Sequence, residues 1–462
     1  MLRASQVCEI AGFPTSSLTC EGFLGQAAAT SVGLGMPNLP VATIVGHPGA
    51  QSVDEIRRNA AEVTAEQVIA NLLSQPDVIA LAPEPKSRDI VFGGTFEEVN
   101  AHFYAQEWSD GLPIYPPTLE KVQEFLSFTI RDPDEVLGIV LPSSRAVTVW
   151  ATAVNGVMAG CRPEYMPILV ALAQAMCDPI YGVEHSGNTP GAETLIVLNG
   201  PIIQQLGFNF EQGVLRDGFI ANTSVGRFWR LALRNMAGFL PHKTDKGSFG
   251  NTFRVVLAEN EASLDKCGWP PMSADMGFSA GDNTVTITRM TGGGVLASVT
   301  GATPEEMLPY IADGLAKQTG WEVVFTVGGL TFGTLRPAVI LTPILAETIA
   351  KAGWSKAQLK RYLYDHARLP AWKVESYTET WADFPIGSLQ HQVNLGRLPR
   401  DFAESDNPNR MVPIVTDPED FMVLVSGDPL RTNAYVFAHN GYLGFPTAKN
   451  IELPPDWEKR IG

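Results

Sequence analysis

The first candidate for acid–base chemistry is His47, in the segment Val45-Gly-His-Pro-Gly49. It follows the apolar run Pro40 to Val45, which has the length and composition of a strand. In open parallel sheets ligands collect beyond the carboxyl ends of the strands, so a histidine at this point is well placed to move protons or bind a ligand. The alternative is a turn histidine that hydrogen-bonds to a neighbouring backbone group.

Cys161 is the candidate nucleophile. The glycine before it can end one helix, and Pro163 can lie in the first turn of the next. A thiol at a helix N-terminus beside Arg162 has its thiolate favoured by the helix dipole and the positive charge, which makes it reactive. The alternative is a cysteine that packs between two helices.

A carboxylate and two anion-binding segments complete this set of candidates. Asp110 begins a proline-rich stretch that must be irregular, where it is either a rigidly held carboxylate or a residue that starts a turn. Hydroxyls and an arginine at the start of a predicted helix can bind a carboxylate or phosphate, or can simply cap the helix. The predicted substrate-binding residues are Arg162, Thr223, Ser224, Arg227, Lys246 in a polar glycine-rich loop, and Asn260 after a strand.

The cofactor motifs with known mechanics are missing from the sequence. We find no P-loop, no G-x-G-x-x-G after a strand and no G-x-S-x-G, so nucleotide and nicotinamide cofactors have no support. No cysteine–histidine spacing matches a zinc site, although a metal bound by distant residues stays open through His47, His102, Glu107 and His185. Thr291-Gly-Gly-Gly294 is expected to form a hairpin or loop.

The predicted fold class is α/β. Residues 1–75 read as strand, helix, strand, helix, which predicts a small parallel βαβα unit docked on a larger mixed α/β region. A proline-containing linker over residues 76–94 follows, then a central α/β domain over 95–300 and a C-terminal α/β domain over 301–462. Within the last of these, Glu322 to Val327 is expected to be a strand.

Several elements have strong local patterns. We expect helices over Ala146 to Met158 and Asn222 to Met236, and a buried strand over Glu193 to Leu198. Ser52 and Thr95 are each followed three residues later by a glutamate, which predicts a capping box at the start of a helix.

Charge and composition exclude several classes of protein. With 33 basic and 49 acidic residues the net charge is −16, which argues against binding to nucleic acid or to an anionic membrane surface. The sequence contains no apolar stretch long enough to span a bilayer and no signal-peptide pattern at its start. Five cysteines, an odd number, argue against a disulfide framework and predict a cytoplasmic protein.

The first 75 residues contain four short distinctive segments: Gly12-Phe-Pro-Thr, Thr19 to Phe23, Gly35-Met-Pro and His47-Pro. Through these segments they resemble the domain of the selenocysteine-Gly-Ser-Cys (UGSC-like) bacterial proteins. In that family the named motif, which implies thiol or selenol redox chemistry, lies just upstream of Gly-x-Pro-Thr, and Met1 to Val7 does not contain it. The rest resembles a poorly characterised bacterial α/β family through Trp108 to Thr118, Val154 to Tyr165 and Ala352 to Lys356.

These residues predict an enzyme of small-molecule metabolism with lyase, hydratase or hydrolase chemistry. Its site is expected in an interdomain cleft, with His47, Asp110 and Cys161 as catalytic residues and a small organic substrate, which can be an anion. We expect a homo-oligomer, and a complex with a partner subunit is an alternative. The alternatives are a metal-dependent or thiol-redox enzyme, and a non-catalytic scaffold that completes the site of a partner enzyme.

Overall fold

The structure is a computed structural model that describes residues 1–74, 86–142, 144–251, 256–328, 335–382, 386–439 and 441–462. The predicted α/β class is confirmed: a small unit with a parallel strand pair precedes a larger region built on a mixed sheet. Most of the predicted linker, through residue 85, lies outside the described residues. No helix in the described ranges is both long and apolar enough to cross a membrane.

The N-terminal unit contains the predicted order of strand, helix, strand and helix, preceded by a helix, Leu2–Ile10, that was not predicted. Its two strands are parallel, with Ser17 opposite Val41, and a helix connects them. Ser52 and Glu55 form a capping box at the start of the last helical stretch, which contains one π-helical turn at Ala60–Thr64. The elements are α1 Leu2–Ile10, β1 Ser17–Cys20, α2 Leu24–Gly33, β2 Val41–Ile44, α3 Val53–Asn59 and α4 Ala65–Leu73.

The next part of the chain is predominantly helical. It carries an antiparallel hairpin of β3 and β4, and its longest helix, α10, carries three arginines. The elements are α5 Phe96–Ala105, α6 Leu119–Leu126, β3 Val136–Val140, β4 Arg145–Thr148, α7 Val149–Ala159, α8 Met166–Cys177, β5 Glu193–Asn199, α9 Ile202–Gln205, α10 Ile220–Asn235, β6 Val256–Ala258, α11 Glu261–Cys267, α12 Met272–Asp275 and β7 Thr284–Leu296.

The C-terminal part alternates helices with short strands. Its elements are α13 Pro304–Thr319, α14 Val323–Val327, β8 Ala338–Leu341, α15 Pro343–Lys351, α16 Lys356–His366, β9 Arg368–Pro370, α17 Ala371–Ser376, α18 Leu389–Asn394, β10 Met411–Pro413, β11 Met422–Val425, β12 Ala434–His439, β13 Thr447–Asn450 and α19 Trp457–Ile461.

One seven-stranded sheet joins the central and C-terminal parts. Its order is β11-β8-β12-β7-β5-β6, and β13 also pairs with β7. Strand β5 runs parallel to β6 and antiparallel to β7, and all seven of its residues are buried, as its unbroken apolar run predicts. The predicted boundary at residue 300 therefore runs through a continuous sheet. The domain boundaries stay a prediction.

Helices cover one face of this sheet in two groups. Helices α7, α8 and α10 pack over β5 and β7 in one apolar cluster, which includes Ile196, Ile287 and Trp229. Helices α13, α15 and α16 pack over β8, β11 and β12 in a second cluster, which includes Leu341 and Val423. The alternate strand residues face a smaller third cluster on the other side of the sheet. Helices α7 and α10 of the first group also line the large cleft between this region and the N-terminal unit.

Three local predictions are wrong. Residues 323–327 form helix α14 and not a strand, because a short apolar run fits either element. Thr291-Gly-Gly-Gly294 lies within the continuous strand β7, where Gly293 faces the rings of Tyr435 and Phe437. The predicted helix from Ala146 begins at Val149, since residues 145–148 form β4.

Candidate functional site

A large cleft lies where the N-terminal unit meets the central part of the chain. Its volume is about 1330 Å³, above the usual range for small-molecule sites. Gly25, Ala29 and Val32 line it from one face of α2, and the opposite walls come from α5, α7 and the C-terminal end of α10. The cleft therefore lies between the N-terminal unit and the central part, and it is the candidate site.

Aromatic and aliphatic side chains form much of the cleft wall. Phe103 and Trp108 meet edge to face with their ring centroids 5.3 Å apart, and Trp150, Val154 and Met158 add the surface of α7. Rings in this arrangement are held rigidly by their own packing. They can cover the body of an organic ligand without losing much conformational entropy.

Glu107, Arg234 and Lys243 form a charged group in the cleft wall. Glu107 has a φ of 59°, a left-handed conformation that a residue with a side chain rarely adopts. Arg234 donates from Nη1 to the Glu107 carbonyl oxygen at 3.0 Å, and the Lys243 ammonium pairs with the Glu107 carboxylate. Backbone strain of this kind is found at functional sites and persists only where neighbouring groups hold it. Here Arg234 holds the backbone carbonyl of Glu107 and Lys243 holds its carboxylate.

Two amides lie beside this charged group. Asn235 Nδ2 donates to Asn155 Oδ1 at 2.8 Å and to the carbonyl oxygen of Trp108 at 3.1 Å. Asn155 in turn donates to the carbonyl oxygen of Ala151, one turn earlier in α7. The hydrogen bonds connect α7, α10 and the segment after α5, and so fix the backbone that carries Glu107.

The cleft is basic although the chain is acidic. Its lining contains five basic and three acidic residues, whereas the whole chain has 33 basic and 49 acidic ones. The basic residues are Lys86, Arg88, Arg145, Arg234 and Lys243, and the acidic ones are Asp89, Glu107 and Glu120. Positive charge in a concave, partly apolar site attracts small anions.

Asp110 and Arg227, two of the predicted site residues, lie together behind this wall. The guanidinium donates from Nε to Oδ2 at 3.0 Å and from Nη2 to Oδ1 at 2.8 Å. Burial disfavours the ionised carboxylate, but the hydrogen bonds and charge of Arg227 outweigh that effect and hold the pKa of Asp110 below its usual range. Arg227 also donates to the carbonyl oxygen of Pro113 at 2.9 Å, so the pair anchors the proline-rich segment to α10.

Cys161 has a pKa shift opposite to that of a reactive thiolate. Burial raises the pKa of its thiol to about 12, against smaller opposing effects of Ser224 and Arg227. Gly160 ends α7 with a left-handed φ of 77°, and Pro163 begins a short 3-10 helix, both as predicted. The expected influence of Arg162 is missing because its side chain is exposed and faces Glu164, 3.8 Å away. The geometry favours the alternative reading, a cysteine that packs between two helices, and a nucleophilic role for Cys161 stays a prediction.

The N-terminal unit is similar to a known protein family. Residues 1–74 match the model of the UGSC family. They form a UGSC-family domain. No curated protein and no solved structure matches the chain. The kinship predicted for the remainder of the chain stays a prediction.

His47 lies in the UGSC domain, just beyond β2, where the sequence predicts it. Its Nδ1 accepts a hydrogen bond from the backbone N–H of Gly49 at 3.1 Å and so caps a short 3-10 helix. This is the bond expected of a turn histidine. Its side chain is exposed and is not part of the cleft lining within the described residues. A catalytic role for His47 stays a prediction.

The other predicted binding residues make local contacts outside the cleft lining. Thr223 Oγ1 accepts from the backbone N–H of Gly218, and Ser224 is buried near Cys161. Lys246 donates from Nζ to the His242 carbonyl oxygen at 3.1 Å. Asn260 caps α11 by accepting from the backbone N–H of Ser263. The structure thus brings Asp110, Cys161, Ser224 and Arg227 into one region and leaves the others apart.

The structure does not bring together the four residues named for a metal site. Among the described residues, no group of three or more His, Cys, Asp or Glu side chains is arranged to hold a metal ion. Of the four residues considered, His102 stacks on the Phe92 ring with the centroids 4.4 Å apart, Glu107 pairs with Lys243, and His185 lies in a different cavity. These four residues, His47, His102, Glu107 and His185, therefore do not form one cluster.

Sequence reasoning missed Arg234 and Lys243. A usable signal for the first was present, because Arg227, Arg230 and Arg234 recur at helical spacing along one side of α10. Arg227 and Arg234 bind Asp110 and the Glu107 carbonyl oxygen in the segment after α5, and Arg230 pairs with Glu193 of β5. Lys243 had no comparable signal, since it is one of several polar residues in a loop.

Proposed function

We propose that the chain is an enzyme of small-molecule metabolism whose substrate, a small organic anion, binds in the cleft between the UGSC domain and the central part. One observation carries the proposal: an acidic chain places five basic residues around an apolar cleft of about 1330 Å³. Concave, mainly apolar sites with a few convergent polar groups are the usual form of a substrate site.

Arg234 and Lys243 are the proposed anion-binding groups. Arg234 is half-buried in α10 and already donates to a backbone carbonyl, which fixes the orientation of its guanidinium plane. Lys243 is exposed at the cleft wall and can exchange its pairing with Glu107 for a substrate carboxylate or phosphate. The aromatic rings of Trp108 and Trp150 then cover the apolar part of the substrate.

Glu107 is the proposed proton-transfer residue. When the substrate anion takes the Lys243 ammonium, the Glu107 carboxylate loses its partner and becomes free to accept a proton from a substrate carbon or from water. Its strained backbone, held by Arg234, keeps that carboxylate in place. Proton abstraction or water activation beside an anion is the chemistry of a lyase, hydratase or hydrolase, the reaction classes we favour.

The test is conversion of small organic acids in deuterated water, followed by proton NMR. We expect the protein to convert at least one hydroxy, keto or unsaturated acid, or to exchange its protons with solvent. Glu107→Gln keeps the shape of the side chain but removes the base, so it should lower the rate at least about a hundredfold. Glu120→Gln, which changes another acidic residue of the cleft lining, is the matched control.

Two results count against the proposal. The first is that no acid of the panel is converted or exchanged by the purified protein. The second is that Glu107→Gln retains the wild-type rate while the protein stays folded. Equal losses in Glu107→Gln and Glu120→Gln would also remove the specific role of Glu107.

A second candidate function, a non-catalytic subunit that completes a partner's site, is supported by the surface of the UGSC domain. This domain leaves several large apolar side chains in solvent, at 60% to 84% exposure, namely Val7, Ile10, Phe13, Val53, Ile69 and Leu73. Surfaces of this kind mark association. Under this reading the isolated chain forms a complex, either a homo-oligomer or a pair with another protein, and converts no acid by itself.

We also propose a cytoplasmic location. All five cysteines are free thiols, in keeping with a reducing compartment.

Mass measurement by light scattering on the purified chain distinguishes the functional alternatives when it is combined with the NMR assay. A monomer or homo-oligomer that converts an acid supports the enzyme, and an inactive chain that gains activity only with a partner supports the subunit.

A further inference from the structure

A second cavity lies on the other side of helix α2. Its volume is about 380 Å³, near the lower end of the range for small-molecule sites, which is roughly 300–1,000 Å³. Gly25, Ala29 and Val32 of α2 face the large cleft, whereas Gln26 and Thr30 face this cavity. The UGSC domain thus contributes to two separate cavities, and the second takes no part in the proposed reaction.

Two opposite charges meet at this cavity in a loose pair. Arg3 Nη1 lies 3.6 Å from Glu184 Oε1, and the side chains are 49% and 26% exposed. A well-formed ion pair of this type has a separation of about 2.7–2.9 Å. Arg3 belongs to the UGSC domain and Glu184 to the main body, so the cavity presents a cation and an anion from its two sides.

The remaining lining is part polar and part apolar. Burial lowers the pKa of His185, with help from Arg289 and Arg3 and against the effect of Glu184. Thr19 and Thr30 add hydroxyl groups. Leu18, Phe23 and Val41 provide an apolar surface next to them.

We propose that this cavity binds a small zwitterion of the α-amino acid class. Its carboxylate pairs with the Arg3 guanidinium, its ammonium pairs with Glu184, and its side chain contacts the apolar surface of Leu18 and Phe23. A ligand with both charges pairs with Arg3 and Glu184 at once. A simple anion pairs only with Arg3, and a simple amine pairs only with Glu184. The small volume excludes larger ligands.

The test is isothermal titration of the full-length protein with L-leucine, L-methionine and L-phenylalanine. Each amino acid is compared with the amine and the carboxylic acid that lack one of its two charges. We expect saturable binding of at least one amino acid, with its amine and its acid bound about tenfold or more weakly. Arg3→Gln and Glu184→Gln should each weaken binding by a similar factor, and Arg3→Lys should restore part of the affinity.

The controls separate this site from the cleft and from misfolding. Arg57→Gln removes a charge from an exposed pair elsewhere in the UGSC domain and should bind like wild type. Lys243→Met, in the cleft, should also leave amino-acid binding unchanged, so this proposal can fail without affecting the proposed function. Circular dichroism confirms folding of each variant.

The proposal is overturned if none of the three amino acids binds. It is also overturned if the carboxylic acid alone binds as tightly as the amino acid, or if Arg3→Gln and Glu184→Gln both bind like wild type.

Discussion

Asp110 and Arg227 form a bidentate ion pair, although they lie 117 residues apart in the chain. The side chains are 7% and 18% exposed, so solvent screens the interaction little. Because Arg227 also binds the carbonyl oxygen of Pro113, the pair holds the irregular proline-rich segment against α10. The Glu107 backbone, three residues before Asp110, is held by Arg234 of the same helix.

Asp110→Asn should lower the free energy of unfolding by about 3 kcal/mol, because the mutation leaves a largely buried guanidinium without its counter-charge. The pKa of Asp110 is lowered in the folded state. Its contribution to stability is therefore present above the unfolded pKa of about 3.9 and is lost as the pH falls through the lower folded pKa. Urea titrations at several pH values measure both effects.

The matched control for this experiment is Asp54→Asn, which breaks an exposed pair with Arg57. It should leave the midpoint of unfolding close to that of wild type at every pH. The account of Asp110 is contradicted if both variants behave alike, or if the difference between Asp110→Asn and wild type persists undiminished below pH 3.

Cys161 should resist alkylation in the native protein. With a pKa of about 12, its thiolate is a very small fraction of the total at pH 8, and burial blocks access as well. Cys8 is exposed. We expect iodoacetamide to modify Cys161 at least about a hundredfold more slowly than Cys8, and at a similar rate after denaturation. Peptide mapping by mass spectrometry gives both rates, and comparable native rates would restore the nucleophile hypothesis.

A larger residue at Gly293 should lower the stability of the protein, whereas alanine at the neighbouring Gly292 should have little effect. A Cβ atom at Gly293 would lie 2.7 Å from Cδ1 of Phe437 and would also meet the Tyr435 ring. At Gly292 the nearest neighbour is Gln318 Nε2 at 3.9 Å. Gly293→Ala is therefore expected to destabilise by about 1–3 kcal/mol and Gly292→Ala to be nearly neutral in chemical denaturation. Equal stabilities would contradict the packing of β7 against β12.

Strong local patterns in the sequence were sufficient to predict much of the fold. The buried strand β5, the helix α10, the capping boxes at Ser52 and Thr95 and the irregular segment after Asp110 are where the patterns place them. Each depends on residues close together in the chain. The sheet order does not, because it depends on pairing between distant strands such as β5 and β7. The boundary predicted at residue 300 falls between strands of this one sheet.

The site was predicted less well because burial and backbone conformation decide it. Asp110 and Arg227 were both singled out, but their pairing is a property of the tertiary structure. Cys161 seemed activated by Arg162 because the two are adjacent in sequence, yet one is buried and the other is exposed. Nothing in the residue type of Glu107 indicates its left-handed backbone.

The most direct test of the cleft as an anion-binding site compares two lysines of the same loop. Lys243 lines the cleft and Lys246 does not, so Lys243→Met and Lys246→Met change the charge equally at different places. Isothermal titration with the acid that wild type converts or binds should show affinity lowered about tenfold or more in Lys243→Met and unchanged in Lys246→Met. Unchanged affinity in Lys243→Met, or an equal loss in both variants, would contradict the proposed site.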